Sequence, residues 1–207
     1  QKNMEFLLKK AHPLMDIYRE ERKKELHASL LENAGKEGRR RRVLAVPDLG
    51  VLPKKLLEEI LERNHVVLNE KTVILESYKR SATCLETILK HSVVEDEVSV
   101  LSEAEYEKYP LVLPLAECFL EKDIRLTYEE YHACIGAAEN YAKANENYQF
   151  NLTKIKGFHN IQITCFEGKW CMISKNRAPA IHFVIHHPKL RYALENMVLP
   201  IRDDEIE

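Results

Sequence analysis

The residues best suited to chemistry gather near the C-terminal end, in residues 158–197. This stretch holds the only tryptophan, four of the nine histidines and two of the five cysteines. His182 and His186 stand four apart on an extended segment and so share one face, while His187 points away and His159 sits on the neighbouring hairpin. A metal centre needs at least three converging ligands, and this spacing offers two, so these histidines are expected to be structural or to hydrogen-bond a ligand. Cys165 and Cys171 flank a short turn, which places them opposite each other as either a redox pair or two buried thiols. A cysteine nucleophile with a histidine base would make a small enzyme, but neither an orienting acid nor an oxyanion arrangement accompanies them. No catalytic residue, metal or cofactor is assigned.

Anion binding is the stronger chemical expectation. His187-Pro188 opens a helix, whose first N–H groups and positive dipole end favour negative charge. Lys175, Arg177, Lys189 and Arg191 lie close by in sequence. With His159, Trp170, His182 and His186 as walls or hydrogen-bonding partners, they form the candidate set for a small, anionic effector. The competing reading is a solvated cationic rim around a helix terminus.

The elements that must position these residues read as follows. Residues 161–166 alternate as a strand, 167–169 turn, 170–174 return, 180–185 form a third strand, and a helix follows with Leu190, Leu194, Met197 and Val198 inward. This is a compact β-β-β-α unit. Upstream, residues 2–33 carry a helical stripe through a heavily charged middle, and 35–42 (GKEGRRRR) read as a loop. The four arginines there are read as solvated loop charge that could also help to hold an anionic ligand. Residues 43–46 are a short β run and 53–63 a helix. Strands are expected at 65–68, 72–75 and 97–101, and a helix over 81–91. Ser102-x-x-Glu105 is a capping box, 115–120 is ambiguous, and Thr127 caps a helix over 128–147 before a strand from 148. The fold class is mixed α/β: a long N-terminal helix, an alternating β/α segment and the C-terminal unit. Residues 1–34 are expected to be a connector or dimerisation helix, and 43–201 an effector-binding domain.

Composition excludes several classes. A net charge of −2 argues against a surface built to grip nucleic acid, and no apolar run is long enough to span a membrane. Six glycines leave no phosphate-cradling loop, and neither GxGxxG nor GxxxxGK[ST] occurs. The sequence lacks GxSxG, HExxH and zinc spacings as well. His187-x-Lys189 opens like the phosphodiesterase pattern HxKxxxxD, but Leu194 occupies the aspartate position. With no secretion signal and an odd cysteine count, a cytoplasmic setting with reduced thiols is expected. The absence of an initiating methionine suggests a fragment.

The stretch GKWCMISKNRAPAIHFVIHHPKLRYALENMV, within residues 148–199, resembles the C-terminal sensor and dimerisation domain of bacterial one-component transcription regulators of the Cro-like helix-turn-helix type. That resemblance implies effector sensing and homodimerisation rather than catalysis, with DNA contacted only through a missing N-terminal domain, since no helix-turn-helix is evident in residues 1–42. A small His/Cys enzyme and a structural interaction domain are the alternatives.

Overall fold

The protein is described by a computed structural model covering residues 15–154 and 159–198. Its strands are β1 (Met15–Tyr18), β2 (Arg40–Leu44), β3 (Val94–Ser99), β4 (Tyr148–Thr153), β5 (Ile161–Phe166), β6 (Trp170–Lys175) and β7 (Ile181–Ile185). Its α-helices are α1 (Lys23–Ala34), α2 (Lys54–Arg63), α3 (Leu68–His91), α4 (Glu103–Lys108), α5 (Tyr128–Ala144) and α6 (Pro188–Val198). All seven strands form one mixed sheet in the order β1-β7-β6-β5-β2-β3-β4. β2, β3 and β4 run parallel, whereas β5 joins β2 antiparallel and starts an antiparallel run through β6 and β7 to β1. The chain is therefore mixed α/β.

Because β2, β3 and β4 are sequential neighbours, their right-handed crossovers place α2, α3 and α5 on the same face of the sheet. There Leu57, Ile60, Ile74, Leu85, Tyr131, Cys134 and Ala138 pack on Leu44, Val94, Val98 and Tyr148 as the main core. α1 packs beside α3. Below it Leu26 joins Tyr18, Phe119, Met172 and Val184. The opposite face carries α6, whose Leu194 and Val198 cover Val43, Ile163, Cys165 and Cys171. The expected capping box forms, with Ser102 Oγ accepting the Glu105 N–H at 3.3 Å, and Thr127, expected as a cap, forms a second one, its Oγ1 accepting the Glu130 N–H at 3.1 Å.

The β-β-β-α unit is present as β5, β6, β7 and α6, with Cys165 directly opposite Cys171. Their sulfurs are joined as a disulfide, rather than remaining two buried thiols. Three other expectations are corrected. Met15–Tyr18, expected within a long helix, is an edge strand paired with β7, and the apolar stripe at 6–14 lies outside the described residues. The sequence 65–91, expected as two strands and a helix, holds the single helix α3 from Leu68. Its β-branched residues suggested strands, but Ile74, Tyr78, Ser81, Leu85 and Ile88 recur at helical spacing, with no glycine or proline between them. Finally, Arg40, Arg41 and Arg42 are not in a loop; they open β2, an interior strand of the sheet.

Candidate functional site

The arginine run shows why its environment was hidden. Alternation along β2 turns Arg40 and Arg42 toward the helical face and Arg41 toward the other face, where it meets Glu95 at 3.0 Å beside Arg39. Arg42 is nearly buried. Its Nε and Nη2 donate to Asp96 Oδ1 and Oδ2 at 2.6 and 2.7 Å, and its Nη1 donates to Asp48 Oδ2 at 2.5 Å. Tyr148 donates its hydroxyl to Asp96 Oδ2 at 2.7 Å. Burial alone would pull the Arg42 pKa down; the Asp96 and Asp48 carboxylates hold it well above its ordinary value. Arg40, also buried, has no carboxylate partner among the described residues. Its guanidinium donates to the carbonyls of Asn33, Lys36 and Gly38 and lies over the Phe166 ring at 4.1 Å. Burial, with Arg42 adding to it, lowers its pKa to about 10.

Two glycines make this arrangement possible. Gly50 follows the Asp48 turn and packs on α3 so closely that a Cβ would lie 2.9 Å from the Ser81 backbone. Its N–H donates to Asp48 Oδ1 at 2.7 Å, which aims the other carboxylate oxygen at Arg42. Gly38 takes φ +144°, and a Cβ there would collide with the Phe166 ring that supports Arg40.

Above these arginines lies a cavity of about 100 Å³, bounded by α1, α3, β5, β6 and the short turn Ala116–Cys118. This is room for several waters or a small ligand. Leu30, Ala34, Leu85, Ile88, Val94 and Met172 make most of its wall apolar; Arg40, Arg42, Asp48, Arg80, Glu117 and Trp170 supply its polar points. Arg80 has no carboxylate within 4.0 Å among the described residues. Its Nη2 lies 3.3 Å from His27 Nε2, and its Nε is buried without a hydrogen-bond partner. Trp170 Nε1 is likewise buried and unpartnered.

Glu117 comes from the short turn Ala116–Cys118. The turn that carries it is pinned to α1, where His27 Nε2 lies 2.8 Å from the Glu117 carbonyl and Lys23 donates to the Cys118 carbonyl at 3.3 Å. It ends in Phe119 at φ +50°, an unusual backbone for a bulky residue, held by burial of the ring. The Glu117 side chain makes no hydrogen bond or ion pair with the described residues. Burial, reinforced by Asp48 and opposed by Arg80 and Arg42, pushes its pKa up to about 7.

Of the candidate effector residues near the Pro188 helix only Trp170 lines this cavity, whereas Arg40 and Arg42 of the arginine run, read as mainly solvated, also line it. His182 is buried on the same face and its Nδ1 lies 2.8 Å from Ser174 Oγ, but it packs edge-on against Phe119. Burial lowers its pKa to about 4. His159 stacks on Tyr109 at 4.3 Å, and His186 pairs with Asp16 at 3.2 Å. The cations near the Pro188 helix start are dispersed. Lys175 donates to the Pro179 carbonyl and Arg177 pairs with Asp123; Arg191 reaches the Gly168 carbonyl and Glu195, and Lys189 is exposed. Arg80 and Glu117 were missed; for the arginine run the usable signal of burial was its alternation into an apolar β run at 43–46.

Cys165 and Cys171 lie under α6, and neither sulfur is hydrogen-bonded to a histidine. The thiol of Cys84 reaches the cavity, but burial and Glu117 raise its pKa, which opposes thiolate formation. Among the described residues no three His, Cys, Asp or Glu side chains converge as metal ligands, and no helix is long and apolar enough to cross a membrane. No family model, curated protein or solved structure matches the chain.

Proposed function

We propose that this chain is the effector-binding domain of a one-component transcription regulator, and that its effector occupies the cavity between α1, α3 and the sheet. The carrying observation is the lining: apolar walls surround arginines of which two, Arg40 and Arg80, have no carboxylate partner among the described residues. Buried cations left unpaired are costly, so a site that keeps them suits a ligand bringing negative charge. The cavity thus takes over the anion-binding role expected of the Pro188 helix start. The resemblance of residues 148–199 to regulator sensor domains supports the wider reading. In that reading DNA is contacted by a separate helix-turn-helix domain, and these residues supply effector response and homodimer contacts. Met15 and Ile17 of the edge strand are exposed on the side of the sheet that carries α6, where Tyr192 and Met197 are also exposed, and this apolar surface suits the dimer contact.

A thermal-shift screen of small metabolites, paired with a measurement of mass in solution, tests the proposal. A ligand at 100 times its Kd stabilises the chain by about 2.7 kcal/mol. It should also change the emission of Trp170, the only tryptophan. A strictly monomeric chain that no metabolite stabilises refutes the reading.

A further inference from the structure

The cavity lining carries charge of both signs, with no ion pair between Arg80 and Glu117 although each lies in the other's field. Arg80 has no carboxylate within 4.0 Å among the described residues; its Nε is buried and unpartnered, as is Trp170 Nε1 on the same lining. The Glu117 carboxylate has no hydrogen bond or ion pair with the described residues, though Arg80 and Arg42 act on it at longer range, and Arg42 is itself met by two carboxylates, Asp48 and Asp96. Arg80, Trp170, Glu117, Arg42 and Asp48 line the same small, mostly apolar space.

A simple anion would satisfy Arg80 but sit against Glu117 and Asp48; a simple cation would leave Arg80 and Arg40 unpaired. Either leaves the half-buried Arg80 or Glu117 without a counter-charge in a poorly solvated site, which disfavours binding. A molecule with one charge of each sign, set on a short apolar body, matches all three features of the lining. We infer that the effector is a small zwitterion of the free α-amino acid class, its carboxylate on Arg80 and the Trp170 N–H, its ammonium toward Glu117 and Asp48, and its side chain among Leu85, Ile88 and Met172. This inference rests on the cavity being the effector site.

Proton linkage follows from the groups around Glu117, namely Arg80 and Cys84 from α3, Arg42 and Asp48 beneath, and His27 and Lys23 from α1. With its pKa near 7, Glu117 is mostly protonated at pH 6 and mostly ionised at pH 8. An ammonium group prefers the ionised form, so affinity should rise about tenfold between those pH values. Burial, as the largest cause, lowers the pKa of His27.

The test is calorimetric titration of the whole chain with the common free amino acids. The best binder is then compared with the carboxylic acid lacking its amine and with the amine lacking its carboxylate. For leucine these are 4-methylpentanoate and 3-methylbutylamine. The amino acid is expected to bind at least tenfold tighter than either, and tighter at pH 8 than at pH 6. Glu117→Gln should abolish both the preference for the amine and the pH dependence while leaving the carboxylic acid's affinity intact. Arg80→Gln should weaken the amino acid and spare the amine. Equal binding of the amino acid and the deaminated acid overturns the zwitterion inference and leaves the cavity as an anion-binding effector site. Binding of none of the three sets also overturns it, and the effector reading is then judged on the metabolite screen. Unchanged far-ultraviolet spectra and a single cooperative melting transition show that both variants are folded.

Discussion

Replacing Asp96 by asparagine is the most direct test of the buried frame under the cavity. Asp96 is fully buried and accepts three short hydrogen bonds, two from Arg42 and one from Tyr148. Asparagine keeps the shape but loses the charge, and its NH₂ group faces donors where an acceptor is needed. Breaking a buried, hydrogen-bonded pair from one side costs about 3–5 kcal/mol. Arg42 retains Asp48, so a value near the lower end, about 3 kcal/mol, is expected. Tyr148→Phe removes only the hydroxyl donor and should cost about 1.5–3 kcal/mol, the range for a hydrogen bond to a charged group. Both are large shares of the roughly 5–15 kcal/mol by which a domain is stable. Urea unfolding followed by Trp170 emission measures each change as a lower midpoint at unchanged slope. The double variant should cost clearly less than the two singles combined, because the Tyr148 hydroxyl loses its charged acceptor once Asp96 is gone. Strict additivity, or an Asp96→Asn cost below about 1 kcal/mol, would refute the view that this cluster is a coupled, ionised network.

Further predictions concern pH and packing. Folding depresses the His182 pKa from 6.5 to about 4, so its contribution is complete above pH 6.5 and is lost as pH falls toward 4. Wild type should therefore lose about 3 kcal/mol relative to His182→Gln between pH 7 and pH 4, read from urea midpoints across that range. Glu117 acts in the opposite sense: its raised pKa favours the fold at low pH, and that contribution is lost as pH rises toward 7. Glu117→Gln should accordingly gain stability relative to wild type as pH rises from about 4.5 to 7, measured in the same way. Gly50→Ala forces a Cβ against the backbone of α3 and should cost about 1–3 kcal/mol, with altered Trp170 emission if the Asp48 turn moves; a neutral effect would contradict the close approach.

The sequence by itself determined the elements whose signals are local. Capping boxes at Ser102 and Thr127, the period-two hairpin of β5 and β6, and the proline-led α6 depend on neighbours a few residues apart, and all are present. The mixed α/β class followed from their order. Only the tertiary structure decided the meaning of the arginine run. Charges in a row are ordinarily solvated, and nothing local announces that Asp96, more than fifty positions away, will be hydrogen-bonded to Arg42 across two parallel strands. The same holds for the cavity. Arg80 on α3, Glu117 on a turn, Trp170 on β6 and Arg40 on β2 are distant in sequence, and it is the crossovers onto one face of the sheet that bring them together. The histidine-rich segment was conspicuous because its residues are close in sequence, but His182 and His186, though on one face, stand four residues apart along extended chain and meet different partners. Adjacency in sequence concentrates residue types, whereas convergence in space requires the sheet.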